Sequence, residues 1–265
     1  MTTQNHYTFG DSERAARRLA LLARAYDEPS RALIERFRPQ NLALALDLGS
    51  GPGHTTRLLH EVARARRTVG LDVSPRYVEQ ARVNAPPGVE FVVHDVLEPP
   101  YPVAPARLVF CRFFMTHVAD PARALTSLRA LLSAGGRLLL QETSELSCPH
   151  PVFQRYYELV AQLQSHYGQN LYIGRELAAF TRHTPFELAH AADRRFERPA
   201  PVMAELHALN ITTWKKDPFA ARTFDAAELD ALEARLWAIA RGAEAAPAVS
   251  VGLAEVVLAQ SPRIR

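Results

Sequence analysis

Three aspartates stand at the ends of three apolar segments, and a glycine-rich turn follows the first of them. Asp47 lies near the end of segment 42–48, Asp72 ends the segment that begins at Thr68, and Asp95 follows the segment that begins at Val89. The turn contains Gly49, Gly51 and Gly53. Glycines leave room for a ligand, and the helix that follows directs free N–H groups towards it. This stretch predicts a site for a small molecule with a nucleoside or a carboxylate.

A strand, a glycine turn and a helix are the elements that position this site. The strand is predicted at 42–48 and the helix from about His54. Asp72 then ends a second strand nineteen residues after Gly53, where a carboxylate can accept both hydroxyls of a ribose. That spacing suits NAD and S-adenosylmethionine (SAM) equally. The NAD fingerprint G-x-G-x-x-G would, however, require a third glycine where His54 stands.

The sequence Asp-Leu-Gly-Ser-Gly-Pro-Gly at 47–53 resembles the first motif of the class I SAM-dependent methyltransferases. The resemblance covers roughly residues 40–142 and identifies SAM as the expected cofactor. It implies that the loop carries the methionine end of SAM, that Asp47 helps to hold its amino group and that Asp95 takes the adenine amino group. The expected cofactor contacts are Tyr7, Asp47, Gly49, Gly51, Gly53, Asp72, Val73, Asp95, Val96 and Arg112. For Arg112, contact with the acceptor or a structural salt bridge are the alternatives.

Two residues are predicted to act in catalysis, Glu142 and His117. Glu142 follows the apolar run 138–140 and so should stand at the carboxyl end of the fifth strand, the edge where parallel sheets bind ligands. A carboxylate there could accept a proton from an attacking hydroxyl or amine, or stabilise positive charge that develops on carbon. His117 and His150 compete for the same task. A structural role, through an ion pair or a buried hydrogen bond, is the alternative for Glu142 and for His117.

Segments with strand and helix patterns alternate up to about residue 146, joined by short loops. This predicts an α/β fold: a Rossmann-like, doubly wound, seven-stranded sheet, mostly parallel with an antiparallel last strand, plus a helical cap. The fifth strand is expected at 137–142, the sixth at 186–196 and the last at 249–260. About fifty residues separate the last two strands, far more than a hairpin needs, and that excess predicts the cap.

The whole chain, 1–265, is expected to form a single domain. Its predicted parts are N-terminal helices and lid at 1–40, a SAM-binding core at 41–146, cap insertions at 147–173 and 200–245, and completion of the sheet at 174–199 and 246–265. Tyr7 is the candidate lid residue. The cap should close over the acceptor, with Tyr156, Tyr157, His166 and Trp214 as its lining; a plain core role is the alternative for these aromatics.

Composition narrows the possible partners. The net charge is +3, and because the basic residues are dispersed rather than clustered, we expect no nucleic-acid partner. No apolar run approaches the roughly 18 to 20 residues of a membrane span, so a cytoplasmic protein without a membrane partner is predicted. Two cysteines and scattered histidines predict no metal site. A homodimer is compatible with the sequence.

The leading interpretation is a SAM-dependent methyltransferase, EC class 2.1.1, that methylates a small, largely apolar molecule such as a specialised metabolite. Because the sulfonium of SAM is already an excellent leaving group, alignment and exclusion of water are the main tasks of the protein. Two alternatives stay open: a SAM-binding enzyme or binding module that does not transfer methyl, and an NAD-dependent oxidoreductase. The latter is weakened by His54 and by the lack of a Tyr-x-x-x-Lys pair.

Overall fold

The computed structural model describes residues 13–83 and 85–261, and within them seven strands form one sheet. The strands are β1 (Leu44–Leu48), β2 (Arg67–Asp72), β3 (Val89–Val93), β4 (Ala106–Arg112), β5 (Leu132–Ser147), β6 (Glu187–Arg198) and β7 (Val249–Ala259). Their order in the sheet is β3-β2-β1-β4-β5-β7-β6. β7 runs antiparallel to both β5 and β6, while the strands from β3 to β5 pair in parallel. The predicted seven-stranded Rossmann-like fold is confirmed.

Ten α-helices surround this sheet in the described part of the chain. They are α1 (Glu13–Ala25), α2 (Asp27–Phe37), α3 (His54–Ala63), α4 (Pro75–Val83), α5 (Pro121–Leu128), α6 (Pro151–His166), α7 (Gly174–Phe180), α8 (Ala200–Trp214), α9 (Pro218–Thr223) and α10 (Ala226–Ala240). Short 3₁₀ turns lie at Met115–His117, Arg129–Leu131 and Thr181–His183. Several helices begin where the sequence provides an N-cap. Ser74 accepts from Tyr77 N, and Asp225 accepts from Glu228 N.

The first strand lies at the centre of the parallel part of the sheet and is buried on both faces. β1 pairs with β2 on one side and with β4 on the other, and Leu46 and Leu48 are fully buried. This burial explains the nearly continuous apolar run in the sequence. The carboxyl ends of β1, β2, β3 and β4 therefore meet at one edge, which carries the glycine loop and the aspartates at or after the ends of the first three of these strands.

The fifth strand is much longer than the sequence predicts, and the predicted bounds 137–142 are wrong. β4 pairs with β5 only as far as Arg112 opposite Gln141, whereas β5 continues along β7 to Ser147 opposite Ser250. Gly135 and Gly136 lie in the irregular first part of β5, between Leu132 and Arg137, where the register with β4 shifts, and Gly135 has a φ of 67°. Pairing with β7 from Arg137 to Ser147 keeps the rest of the strand extended, and periodicity within the segment does not reveal such a partner.

The overhang of β5 and β7 beyond the carboxyl edge supports a helical layer, by which we mean α6, α8, α9 and α10. Its core includes Phe153, Tyr156, Leu236 and Trp214 and continues onto Val251 of β7. A separate core fills the space beside β1, β4 and β5. The helical layer therefore stands at the same edge of the sheet as the glycine loop. None of the helices in the described residues is long and apolar enough to cross a membrane.

Candidate functional site

The glycine loop joins β1 to α3 in a conformation that favours glycine. Gly49, Gly51 and Gly53 have φ angles of 67°, 51° and 82°, which lie in the left-handed region. The backbone N–H groups of Gly49 and Ser50 both donate to the carbonyl of Leu71, at 2.9 and 3.0 Å. These bonds hold the loop against the end of β2, beside the carboxylate of Asp72.

The glycines also allow close packing of the loop against rings of the protein itself. A Cβ atom on Gly53 would lie 2.5 Å from Phe91 Cζ, and one on Gly49 would lie 3.0 Å from Phe114 Cδ2. Among the described residues, a Cβ on Gly51 would meet only Leu19 of α1, at an ordinary 3.5 Å. With respect to these residues, Gly51 is the one glycine of the three that keeps space open above the loop, while the other two make room for aromatic side chains.

Asp72 lies where the sequence predicts a ribose acceptor. Its Oδ2 accepts from the N–H of Gly51 at 2.7 Å, and its Oδ1 accepts from the N–H of Ser74 at 2.8 Å. These two bonds fix the carboxylate across the glycine loop, and a carboxylate oxygen can accept more than one hydrogen bond. The next residue, Val73, is 63% exposed and offers an apolar surface beside the carboxylate.

Asp47 is buried at the end of β1 and is 1% exposed. Its Oδ2 accepts from the hydroxyls of Thr55 and Thr56, both at 2.7 Å, which ties the strand to the first turn of α3. Burial raises the pKa of Asp47 to about 6, although the two hydroxyls and the positive charge of Arg112 oppose this shift. The carboxyl group therefore ionises close to neutral pH.

Asp95 lies in the loop after β3, two residues beyond the end of that strand. Its Oδ1 accepts from the N–H of Leu97 at 2.9 Å, an arrangement that stabilises the turn. Val96 is buried, and its carbonyl accepts from the Tyr101 hydroxyl at 3.2 Å. The N–H of His94 donates to the carbonyl of Asp72 at 2.9 Å and so joins this loop to the end of β2.

The chain turns sharply after β4, and Glu142 holds that turn. Phe113 has a φ of 56°, an uncommon angle for an aromatic residue. Oε1 of Glu142 accepts from the N–H groups of Phe114 and Met115, at 2.8 and 2.7 Å. Glu142 is 0% exposed, and its Oε2 has no hydrogen-bond partner among the described residues. Burial raises the pKa of Glu142 to about 8, against the lowering effect of the backbone N–H groups.

The two histidines predicted to compete with Glu142 occupy different places. His117 ends the 3₁₀ turn after β4 and is hydrogen-bonded to the side chain of Gln169. Burial lowers the pKa of His117 to about 4, so the ring is neutral at neutral pH. His150 precedes α6 and lies 3.3 Å from Glu244, in the helical layer.

Three of the four predicted acceptor residues meet in the helical layer. Tyr156 and Trp214 are almost fully buried, with ring centroids 6.3 Å apart, and the Tyr157 hydroxyl lies 3.1 Å from His207 Nε2. His166 does not join them, since it is exposed and stacks on Phe219 at 3.9 Å. Tyr7, the predicted lid residue, lies outside the described residues.

His207 is the residue of this cluster that sequence reasoning missed. Its ring stacks on Tyr156 at 4.3 Å, and burial lowers its pKa to about 3. Asn210, one turn later, donates to the Tyr156 hydroxyl at 2.9 Å and accepts from Arg18 of α1. Two polar residues among the buried positions of a mostly apolar helix were the available signal, because buried polar groups are retained where they are hydrogen-bonded.

A cavity of about 440 Å³ lies away from the glycine loop, between α7 and the strands β5, β7 and β6. Its charged side chains are already paired. Arg195 forms ion pairs with Glu145 and Asp193, and the Arg175 Nε donates to the carbonyl of Ser144 at 2.7 Å. None of the predicted site residues lines it.

Comparisons with known proteins match the region around the glycine loop. Residues 46–140 match the family described as a methyltransferase domain. A trans-aconitate 2-methyltransferase from Azoarcus sp. strain BH72 is 38% identical over 118 residues, which is 43% of this chain and 46% of that protein. The chain spans about half the length, or less, of the curated relatives that it matches, from 40% to 50%.

Solved structures match nearly the whole fold. A protein from Bacillus halodurans C-125, solved as a candidate methyltransferase, superimposes with a TM-score of 0.60 at 17% identity, over 88% of this chain and 99% of that one. The [4+2]-cyclase SpnF superimposes with a TM-score of 0.57 at 19% identity, over 90% of this chain and 82% of that one. At these identities the likeness concerns the fold alone.

Proposed function

We propose that this chain, which belongs to the class I SAM-dependent methyltransferases through the domain at residues 46–140, transfers a methyl group from SAM to a small molecule. The observation that carries the proposal is the hydrogen bond from Gly51 N to Asp72 Oδ2 at 2.7 Å. It brings a carboxylate to an open, left-handed glycine turn at the carboxyl edge of the sheet. A nucleoside with free ribose hydroxyls suits that arrangement.

The residues present fit SAM. Gly51 leaves open space above the loop, Val73 offers an apolar surface, and Asp47 ionises at a pH that allows it to hold an ammonium group. When bound, SAM supplies a methyl group on a sulfonium that is already an excellent leaving group. The protein then has to align the acceptor, exclude water and accept a proton where the acceptor carries one. His117 and Glu142 are the two candidates for accepting that proton, and the two backbone N–H groups that Glu142 holds favour a positioning role for it.

The acceptor is proposed to be a small, largely apolar molecule, and a specialised metabolite fits this description. Support comes from the helical layer, which stands at the same edge of the sheet as the glycine loop and is rich in aromatic side chains. The proposed lining comprises Tyr156, Tyr157 and Trp214; His166, the fourth predicted residue, lies apart from them against Phe219 and could contact only an acceptor that extends that far. Relatives named trans-aconitate 2-methyltransferase act, by that name, on a small molecule, which agrees with this class of acceptor.

A second candidate is a SAM-binding protein that does not transfer methyl. It is favoured by the likeness to a [4+2]-cyclase, a protein named for a reaction other than methyl transfer. Binding of S-adenosylhomocysteine, combined with no methylated product from SAM in any acceptor tested, would support this candidate over the first.

The first test is calorimetric titration of the protein with S-adenosylhomocysteine and, separately, with NAD. We expect Asp72→Ala to weaken binding of S-adenosylhomocysteine by about tenfold to 150-fold, the scale of roughly 1.5 to 3 kcal/mol for hydrogen bonds to a charged group. Asp225→Ala is the matched control, because Asp225 also accepts a backbone N–H but does so at the start of α10. The affinity of Asp225→Ala for S-adenosylhomocysteine should equal that of the wild type.

Two results would contradict the proposal. Unchanged affinity in a folded Asp72→Ala variant would remove the ribose role of Asp72. Thermal protection of the wild-type protein by NAD, with none by SAM, would replace the cofactor and leave the oxidoreductase as the better interpretation.

A further inference from the structure

Arg112 is a buried cation that forms no direct ion pair with a carboxylate of the described residues, although the charges of Asp47 and Asp27 act on it from a distance. It ends β4 and is 9% exposed, yet its hydrogen bonds reach only a serine hydroxyl and a main-chain carbonyl. A buried charge is costly unless it is paired, and an arginine in such a place normally lies against a carboxylate. Burial accordingly lowers the pKa of Arg112 to about 10.

The orientation of the guanidinium is fixed from one side. Its Nη1 donates to Ser30 Oγ at 2.8 Å and to the Tyr26 carbonyl at 3.3 Å. Ser30 in turn donates to Gln141 Oε1 at 2.6 Å, and Gln141 Nε2 donates to Glu255 Oε1 at 3.1 Å. This buried chain of hydrogen bonds anchors Arg112 to α2, β5 and β7.

The other side of the guanidinium is unused. Nε and Nη2 of Arg112 donate to no described residue, and neither is a fully buried orphan. These two N–H groups point in parallel from one edge of the guanidinium, which is the fork that binds both oxygens of a carboxylate. An arginine needed only to clamp α2 would require Nη1 alone.

This free fork lies beside the glycine loop. Leu48 pairs with Cys111, so Arg112 stands next to the start of the loop, and it shares a face of the sheet with Asp47, the register partner of Phe110. Its positive charge is close enough to lower the pKa of both Asp47 and His54. Asp47 and Arg112 nevertheless form no direct ion pair. A ligand group can therefore lie between opposite charges.

We propose that Arg112 binds the carboxylate of a small molecule beside the glycine loop. The inference rests on the proposed function, because this is then the place where cofactor and acceptor meet. Two molecules can bring the carboxylate: the amino-acid end of SAM, or an acceptor that is itself a carboxylic acid. In the second case the substrate class is narrowed to molecules with a carboxylate at one end and an apolar body towards the helical layer.

The test uses three probes and two variants of the full chain. S-adenosylhomocysteine carries a carboxylate, 5′-methylthioadenosine has the same nucleoside without the amino acid, and trans-aconitate is a carboxylic acid without a nucleoside. Each is titrated by calorimetry, with trans-aconitate added to protein saturated with S-adenosylhomocysteine. Arg112→Gln removes the charge. Arg137→Gln is the control: Arg137 lies on β5, opposite Leu108 near the start of β4, and it also donates to a carbonyl, that of Phe37 in α2.

If Arg112 binds the carboxylate of the cofactor, Arg112→Gln should weaken the binding of S-adenosylhomocysteine by about tenfold or more and leave the affinity for 5′-methylthioadenosine unchanged. If Arg112 binds the carboxylate of the acceptor, the affinities for both nucleosides should be unchanged, and the affinity for trans-aconitate should fall by about tenfold or more. Arg137→Gln should match the wild type throughout. Either result supports the binding of a carboxylate by Arg112 and identifies the molecule that carries it.

Three outcomes distinguish failure of the carboxylate-binding role of Arg112 from failure of the proposed function. If Arg112→Gln binds S-adenosylhomocysteine normally and shows no Arg112-dependent binding of trans-aconitate, Arg112 does not bind a carboxylate, and the proposed function is unaffected. An equal loss of affinity for all three probes would make Arg112 structural and would also overturn its role in binding a carboxylate. Wild-type protein that binds neither nucleoside would instead refute the proposed function.

Discussion

At the scale of single residues, the site depends on how each carboxylate is paired. Asp72 is fixed by two backbone N–H groups, whereas Asp47 is buried with two threonine hydroxyls and titrates at about pH 6. An ammonium group needs the ionised form of Asp47. Below the pKa the carboxyl must first lose its proton, so binding of the ammonium becomes less favourable as the pH falls.

We therefore expect the affinity for S-adenosylhomocysteine to be constant above about pH 7 and to fall below pH 6, by up to about tenfold for each further pH unit. Calorimetry between pH 5 and pH 8 measures this. The control ligand is 5′-methylthioadenosine, which lacks the ammonium group and should show no such fall. Asp47→Asn should bind weakly and without this pH dependence. A parallel fall for both ligands would assign the titration to a group other than Asp47.

The residues whose position in the fold can be predicted from the sequence are those at the end of a strand. Asp47, Asp72 and the glycines between them follow apolar segments, and the parallel sheet brings the strand ends together. The pairing of Arg112 could not be read from the sequence. Its partners, Ser30 and the Tyr26 carbonyl, lie more than eighty residues earlier in the chain, and no pattern in a single sequence reports so distant a contact.

At the scale of elements, the turn after β4 explains how Glu142 is used. Its Oε1 holds two successive N–H groups at 2.7 and 2.8 Å, and the turn places Phe114 against Gly49 of the glycine loop. A residue in this position stabilises the left-handed angle at Phe113. This geometry supports a positioning role for Glu142. The sequence shows only a carboxylate at the predicted end of a strand, and from that position a general base is the predicted role.

Two substitutions separate these roles. If Glu142 positions the turn, Glu142→Gln keeps an oxygen acceptor and should change kcat by less than about threefold, which we expect. Glu142→Ala leaves two backbone N–H groups without an acceptor and should cost about 2 kcal/mol or more, a fall of roughly 5 °C in Tm. A general base instead predicts that both variants lose about 10² to 10⁴ in kcat with unchanged affinity for S-adenosylhomocysteine.

The pH dependence of stability provides an independent check on Glu142. Its pKa in the folded protein, about 8, is above the ordinary value of 4.5, so folding favours the protonated form. Stability contributed by this group is present at low pH and is lost as the pH rises towards 8. The amide in Glu142→Gln does not titrate. Chemical denaturation should therefore show the wild type losing stability relative to Glu142→Gln between about pH 5 and pH 8.

Element boundaries were predictable where local signals exist. Asp225 caps α10 and Ser74 caps α4, and a side-chain oxygen that accepts a free N–H group at the start of a helix is a local feature of the sequence. The length of β5 was not predictable in the same way. Its extension to Ser147 depends on pairing with β7, a strand more than a hundred residues later. Gly135 and Gly136 precede that pairing, which begins at Arg137, and Gly135 keeps the left-handed φ that glycine favours.

At the scale of the whole molecule, the sheet and the helical layer have separate hydrophobic cores. The sequence predicts both regions, since the alternation of strands and helices ends at about residue 146 and fifty residues separate β6 from β7. It does not predict that β5 and β7 extend past the carboxyl edge of the parallel strands, where the helical layer packs against β7. This extension places α6 and α8 near the glycine loop, and α1 connects the two regions through Arg17, which pairs with Glu205 at 2.6 Å.

The separation of cores implies that cofactor and acceptor functions can be altered independently. Tyr157→Phe removes the hydroxyl that lies 3.1 Å from His207, inside the helical layer, and Tyr167→Phe removes one that donates to Asp217 at 2.8 Å, a partly exposed bond in the same layer. Each change should cost about 1 kcal/mol of stability. If the helical layer binds the acceptor, Tyr157→Phe should also raise the acceptor KM or lower kcat, while the Kd for S-adenosylhomocysteine stays unchanged in both variants. Equal loss of S-adenosylhomocysteine binding in Tyr157→Phe would mean that the layer supports the whole domain, and the acceptor would then have to be sought at the turn after β4.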